Sequence, residues 1–89
     1  MTYDRIPAIT MQSLRAWVDE GVPTGSFLRA VLENDLAMAV LRADDANALA
    51  LADIVRWLSN EAPAACWGSG VRVAGWANEK RAQRAALAC

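Results

Sequence analysis

Apolar residues that recur with helical spacing are the feature that most constrains the fold of this chain. The pattern is clearest at Leu51, Ile54, Val55 and Leu58, whose spacing of i, i+3, i+4 and i+7 places four large side chains on one face of an α-helix. Strand-like alternation is confined to residues 71–73, a run too short to support a sheet. The pattern therefore predicts an all-α fold.

Helix boundaries follow from residues that cap or interrupt helices. Thr10 is predicted to cap the N-terminus of the first helix, and Gly21 suits the left-handed position that ends it. Asp44 or Asp45 is predicted to cap the fourth helix, and Ser69 the fifth. The five predicted helices cover approximately residues 11–20, 24–33, 35–42, 45–60 and 70–86.

These helices predict a small orthogonal bundle of four to five short helices, in a single domain that spans residues 10–80. A length of 89 residues suits one such domain, and an apolar content of 55% argues against disorder. Residues 1–9 are predicted to be an N-terminal extension. Residues 81–89 are predicted to form a frayed tail, because they hold few large apolar side chains.

The same spacing predicts which side chains face the core of the bundle. Trp67, in the loop before the last helix, is predicted to close one end of the bundle. The inward side chains are predicted to be Met11, Leu14, Trp17 and Val18 in the first helix; Phe27, Leu28, Val31 and Leu32 in the second; Leu36, Val40 and Leu41 in the third; Leu49, Leu51, Ile54, Val55, Trp57 and Leu58 in the fourth; and Val73, Trp76 and Ala77 in the fifth.

The sequence lacks residues that common catalytic and metal sites require. It has no histidine, and so neither the most frequent general base nor the most frequent zinc ligand. Its two cysteines, Cys66 and Cys89, occur in no CxxC motif. They could pair in an oxidising compartment, but nothing marks the chain as secreted. We therefore expect no enzyme activity, cofactor, metal or disulfide.

The hydropathy pattern also predicts where in the cell the protein is located. Residues 36–41 form the longest apolar run, which is far short of the roughly 20 residues that a membrane span needs. Residues 1–10 contain charged residues and a proline, and they lack the apolar segment of a signal peptide. We expect a soluble, cytoplasmic protein without membrane contact.

An acidic group, Glu33, Asp35, Asp44 and Asp45, is the most obvious polar feature. The residues that follow Asp45 lack the glycine and terminal glutamate of an EF-hand, which argues against a calcium loop. Helix capping together with a solvated face is the simplest interpretation. The alternative is a surface that meets a basic partner, and the four residues are then candidate partner-binding residues.

The last helix is basic. Arg72, Lys80, Arg81 and Arg84 stand against Glu79, so the net charge from residue 71 onward is +3. Such a helix could contact phosphates, or it could simply be a solvated face. Direct binding of nucleic acid is not expected, because few cations are present and aromatic residues are not clearly interleaved with them.

Residues 21–36, GVPTGSFLRAVLENDL, resemble the first signature of a family of small phage and prophage proteins. Further signatures follow in order: RADDAN at residues 42–47, IVRW at 54–57, NEAP at 60–63 and CWGS at 66–69, and then Trp76. The resemblance covers approximately residues 10–77. It implies a phage-encoded protein in the cytoplasm of a bacterial host, and it supplies this context rather than an activity.

The phage context favours a protein that binds a host machine, as anti-CRISPR proteins do. The first hypothesis is an inhibitor whose acidic group occludes a basic nucleic-acid-binding surface on a host protein or protein–RNA complex, specifically a type I CRISPR-Cas surveillance complex. The second is a small phage regulatory or nucleic-acid-binding protein that uses the basic C-terminal helix. The third is a homo-oligomeric structural or assembly module.

Overall fold

A computed structural model describes residues 3–88, which form five α-helices and one short 3-10 helix. No β-strand occurs within this range. The helices are α1 Ala8–Glu20, α2 Ser26–Leu32, α3 Leu36–Arg42, α4 Asp45–Glu61 and α5 Gly70–Ala88, and the 3-10 helix is Ala64–Cys66. The small all-α bundle predicted from the sequence is confirmed.

The first helix begins three residues earlier than predicted, and Thr10 is not its cap. Pro7 occupies the N-cap position, and its carbonyl accepts a hydrogen bond from the amide of Met11 at 2.9 Å. The fixed φ of proline suits a helix start. Thr10 therefore lies inside the first turn, where it is buried, and its hydroxyl donates to Oδ1 of Asn47 on α4 at 2.8 Å.

Gly21 ends α1 in the predicted left-handed conformation, with a φ of 69°. Its amide donates to the carbonyl of Trp17 at 2.9 Å. A β-carbon added at Gly21 would lie only 2.6 Å from Cβ of Lys80 on α5. Glycine is therefore required here both by the backbone conformation and by the close approach of α5.

Side-chain caps begin three of the later helices. The side chains of Asp35, Asp44 and Ser69 each accept a hydrogen bond from the backbone amide three residues further along, at 3.2, 2.8 and 3.1 Å. Such bonds satisfy amides that have no partner within the helix. The caps predicted at Asp44 and Ser69 are confirmed.

Two tryptophan side chains connect the helices around the core. Nε1 of Trp17 donates to the carbonyl of Cys66 at 3.0 Å, and Nε1 of Trp76 donates to the carbonyl of Trp17 at 3.1 Å. Trp67 is partly buried and packs against the core, and its predicted closure of one end of the bundle stays a prediction. The buried apolar side chains are Ile6, Leu14, Trp17, Leu28, Ala30, Val31, Leu32, Ala39, Ala50, Ile54, Trp57, Leu58 and Cys66.

The inward face predicted for α3 is wrong. Leu36, Val40 and Leu41 are 68%, 55% and 75% exposed, whereas Ala39 is buried and Met38 packs partly against the core. The helix packs against α2, and Ala39 and Met38 are the side chains of α3 that lie in or against the core. Because α3 carries apolar residues all round, its spacing does not show which side is covered.

The inward prediction for α4 is wrong at two positions. Leu49 is 78% exposed and Val55 is 38% exposed, whereas Ala50 takes a buried position close to Leu49. The rest of the predicted stripe lies in or against the core, with Ile54 and Leu58 completely buried. A helix this rich in alanine can bury small side chains and leave a leucine outside.

The two ends of the chain differ in their packing. Ile6 is buried in the core, although residues 1–9 were predicted to be an extension. At the other end, α5 continues to Ala88 as a helix of 19 residues, about 28 Å long. The side chains of residues 81–87 are all exposed. Fraying of residues 81–88 stays a prediction, and Cys89 lies outside the described residues.

Candidate functional site

The structure divides the predicted acidic group into residues with different roles. Asp35 and Asp44 are exposed, and each holds the N-terminus of a helix with one carboxylate oxygen. A cap uses only part of a carboxylate, since each oxygen can accept more than one hydrogen bond. Both side chains therefore keep their negative charge available to a partner.

Glu33 is occupied within the molecule. Its Oε2 accepts from Nε of Arg29 one helical turn earlier, at 3.1 Å, and its side chain is only 30% exposed. A β-carbon added at Gly70 would lie 4.0 Å from the same carboxylate. Glu33 therefore lies beside the N-terminus of α5, where the partial positive charge of the helix favours a carboxylate. Its role is mainly structural.

Glu33 and Asp35 do come together, at the rim of a surface depression of about 460 Å³. Arg29 and Arg42 line the same depression, so its charges are mixed rather than uniformly acidic. Neither Asp44 nor Asp45 lines it. The structure thus places the four predicted residues along α3 and its flanking turns, and does not gather them into one acidic pocket.

Asp44 and Asp45 lie apart from the mixed charges of this depression. They are adjacent and exposed at the start of α4. Within residues 3–88, neither forms a salt bridge. The helix N-terminus stabilises both charges without cancelling their field at the surface.

The sequence pattern does not predict the exposed apolar surface on α3. Leu36 and Val40 are one helical turn apart on the side that faces solvent, and Leu41, about 100° further round the helix, is exposed as well. We define these three residues as the α3 outer face. A signal was present in the sequence, because a helix that is apolar on every side needs more than one covered face.

The basic residues of α5 are partly used inside the molecule. Nη1 of Arg72 donates to the carbonyls of Ala64 and Trp67, at 3.3 and 3.4 Å. Nζ of Lys80 lies 4.9 Å from the centroid of the Trp76 ring. Both contacts fix the side chains against the protein. Arg81 and Arg84 are exposed and form no salt bridge with any residue in the described range.

Cys66 is a buried free thiol. Burial raises the pKa of the thiol above its ordinary value of 9.0, which outweighs the lowering effect of a hydrogen bond with the backbone of Cys66. The protonated thiol is a poor nucleophile and a poor metal ligand. Across residues 3–88, no three histidine, cysteine or acidic residues are grouped so that they could hold a metal ion.

A small apolar cleft of about 200 Å³ lies between α2 and α5, with Trp17, Leu32, Val73 and Ala77 among its lining residues. Pockets for small molecules and cofactors usually measure about 300–1,000 Å³. Arg29 and Glu33 lie at the same cleft, already paired with each other. The cleft therefore offers little space or free polar chemistry for a cofactor.

Comparison with known proteins identifies no relative of this chain. No protein-family model, curated protein or solved structure matches the chain. Among the helices described, none combines the length and the apolar composition that crossing a membrane requires.

Proposed function

We propose that this chain is a phage-encoded, non-enzymatic inhibitor that binds a host defence complex. The specific target in this proposal is a type I CRISPR-Cas surveillance complex, and the mechanism is occlusion of a basic surface that otherwise holds nucleic acid. The phage context comes from the resemblance of residues 21–36 and the ordered signatures that follow. The binding mechanism is argued from the surface of the protein.

The observation that carries the proposal is the exposed pair Asp44 and Asp45. The two residues are adjacent and exposed at the start of α4, neither forms a salt bridge within residues 3–88, and the carboxylate of Asp44 caps the helix. A surface built to bind nucleic acid carries lysine and arginine, and such a surface attracts carboxylates at the positions of phosphates. Asp35, at the other end of α3, adds a third exposed charge.

A non-enzymatic role agrees with the chemistry of the side chains. Histidine is absent from the sequence, and the thiol of Cys66 is buried and protonated. Inhibition by binding needs neither a nucleophile nor a cofactor. It needs a surface complementary to the target and present in stoichiometric amount.

Binding of the protein to a purified type I surveillance complex, measured by biolayer interferometry, tests the proposal. The wild-type protein is expected to bind, and its affinity to fall as salt rises, because screening weakens contacts between surface charges. In the variant D44N/D45K, asparagine preserves the helix cap while the local charge becomes positive. We expect this variant to bind at least about tenfold more weakly.

A control with a slightly larger change of charge, +4 against +3, uses another adjacent acidic pair. Asp19 and Glu20 are exposed at the end of α1. The variant D19K/E20K reverses two charges on a different surface and is expected to bind like the wild type. An equal loss of affinity in both variants would mean that binding depends only on the net charge of the protein. Unchanged binding by D44N/D45K would refute the acidic surface.

The basic end of α5 favours one alternative, a small protein that binds nucleic acid. Arg81 and Arg84 are exposed, with no salt bridge in the described part of the chain. Arg72 and Lys80 already contact the protein, so two freely available cations remain among those counted in the sequence. A gel shift with duplex DNA at low salt tests this function, and R81A/R84A should abolish any shift.

A further inference from the structure

The α3 outer face exposes several large apolar side chains on a short helix. Leu36, Val40 and Leu41 expose more than half of their surface on a helix of only seven residues. Single exposed apolar residues are common, whereas larger contiguous apolar patches mark sites of interaction. Met38 and Ala39, on the other side of α3, already attach the helix to the bundle.

Negative charge lies at both ends of this face. Asp35 caps the N-terminus of α3, and Asp44 and Asp45 follow its C-terminus after one intervening residue. Arg42 is the only basic residue among residues 35–45, so three carboxylates against one guanidinium give this segment a net charge of −2. An apolar centre within a charged rim is the usual anatomy of a protein–protein interface.

We infer that the α3 outer face is the apolar centre of a docking surface for a protein that presents aliphatic or aromatic side chains between lysine or arginine residues. The inference rests on the proposed function, since it describes how the partner is held. In this arrangement burial of Leu36, Val40 and Leu41 supplies most of the affinity, because it removes apolar surface from water. Asp35, Asp44 and Asp45 orient the partner and accelerate the encounter.

Charge argues against the other occupants. An anionic membrane surface would be repelled by the carboxylates at both ends of α3, and it attracts basic rather than acidic segments. A second copy would bring two segments of the same negative net charge together.

Defined peptides provide the test, because they need no knowledge of the natural partner. The probe is an amphipathic helical peptide of leucine and lysine, about five turns long. One matched peptide has glutamate in place of every lysine, and another has serine in place of every leucine. Each is titrated into isotopically labelled protein, and methyl and amide chemical shifts are recorded.

The leucine–lysine peptide is expected to shift the methyl resonances of Leu36, Val40 and Leu41 and the amides of Asp44 and Asp45. The glutamate and serine peptides should each bind at least about tenfold more weakly. No shift at about 1 mM peptide, or shifts spread equally over α1 and α5, would overturn the inference. This shift map requires no variant protein.

A variant gives a second reading of the same surface. The triple substitution L36S/V40S/L41S should weaken binding of the leucine–lysine peptide about tenfold, while circular dichroism shows an unchanged helix content. Its control is V71S/L87S, which removes two aliphatic side chains that are 84% and 87% exposed on α5. The control is expected to bind the peptide like the wild type. Equal loss in both variants would contradict a role specific to α3.

The occupant is identified by two further measurements. Light scattering should give a monomer mass over a wide range of concentrations. A dimer that the substitutions L36S/V40S/L41S dissociate would instead show that a second copy of the chain occupies this face.

Binding of the triple variant to the type I complex separates the two proposals. If the wild type fails to bind the complex but the peptide maps to α3, only the proposed function fails. If the triple variant binds the complex like the wild type, only the present inference fails.

Discussion

The indole Nε1 of Trp17 donates a hydrogen bond to the main-chain carbonyl oxygen of Cys66 at 3.0 Å, across 49 residues of sequence. Trp17 is in turn an acceptor, because its own carbonyl receives the indole N–H of Trp76. These two bonds connect α1 to the 3-10 helix and to α5. They hold in place the segments that the sequence could describe only as a loop and a terminal helix.

Replacement of Trp17 by phenylalanine should lower the stability markedly. The Cys66 carbonyl would lose its donor in a buried environment, which costs about 1–3 kcal/mol in the free energy of unfolding, and the smaller ring would add a cavity penalty. Urea denaturation followed by circular dichroism measures the change. Trp76→Phe serves as the control with a smaller expected loss, because that indole is only partly buried. An equal or larger loss for Trp76→Phe would contradict this role of Trp17.

Thr10 and Asn47 should be energetically coupled. Their side chains share a 2.8 Å hydrogen bond between α1 and α4, and a net contribution of about 1 kcal/mol is typical of such bonds. A double-mutant cycle with Thr10→Val and Asn47→Ala, measured by chemical denaturation, isolates this interaction. Independent effects of the two substitutions would support the capping role expected from the sequence and contradict the tertiary contact.

Part of this fold could be predicted because the relevant forces are local. The stripe of Ile54 and Leu58 on α4 and the caps at Asp44 and Ser69 depend on residues only a few positions apart. Thr10 was misassigned because both a cap and a buried threonine can occur near a helix start, and only the position of α4 decides between them. Whether Thr10 caps α1 or is buried therefore depends on tertiary packing, which the local sequence does not show.

The candidate site was predictable to a lesser degree. Asp44 and Asp45 were recognised as exposed acidic residues, but nothing local showed that Glu33 pairs with Arg29 beside the start of α5. The α3 outer face was assigned to the core because leucine and valine usually lie inside. Leu36, Val40 and Leu41 lie outside because α3 packs on the bundle with Ala39 buried instead, and that arrangement is tertiary.

Two glycine substitutions should have opposite effects. Gly21→Ala should destabilise the protein by at least about 1 kcal/mol, because the residue has a φ of 69° and its new β-carbon would lie 2.6 Å from Cβ of Lys80. Gly75→Ala should be neutral or stabilising by up to about 1 kcal/mol, since it lies within α5 and no atom is within 4 Å of the added carbon. Thermal unfolding compares them; stabilisation by Gly21→Ala would show that α5 does not approach the end of α1 so closely.

Stability should fall at high pH through Cys66. Burial raises the pKa of this thiol in the folded state, so the unfolded chain loses the proton at a lower pH. The stabilising difference is fully present below the ordinary value of 9.0 and is lost as the pH rises through the folded-state pKa. The free energy of unfolding should therefore decrease more steeply above about pH 9 in the wild type than in Cys66→Ala. Parallel pH profiles for the two proteins would exclude this contribution.

Competition with target DNA tests most directly whether the acidic pair Asp44 and Asp45 occludes a nucleic-acid-binding surface. Fluorescence anisotropy would follow a labelled target duplex on a purified type I surveillance complex while the protein is added. We expect the anisotropy to fall in proportion to the protein up to a fixed stoichiometric ratio, with D44N/D45K displacing little DNA and D19K/E20K displacing it like the wild type. DNA that stays bound at excess wild-type protein, or that D44N/D45K displaces equally well, would contradict inhibition through the acidic pair.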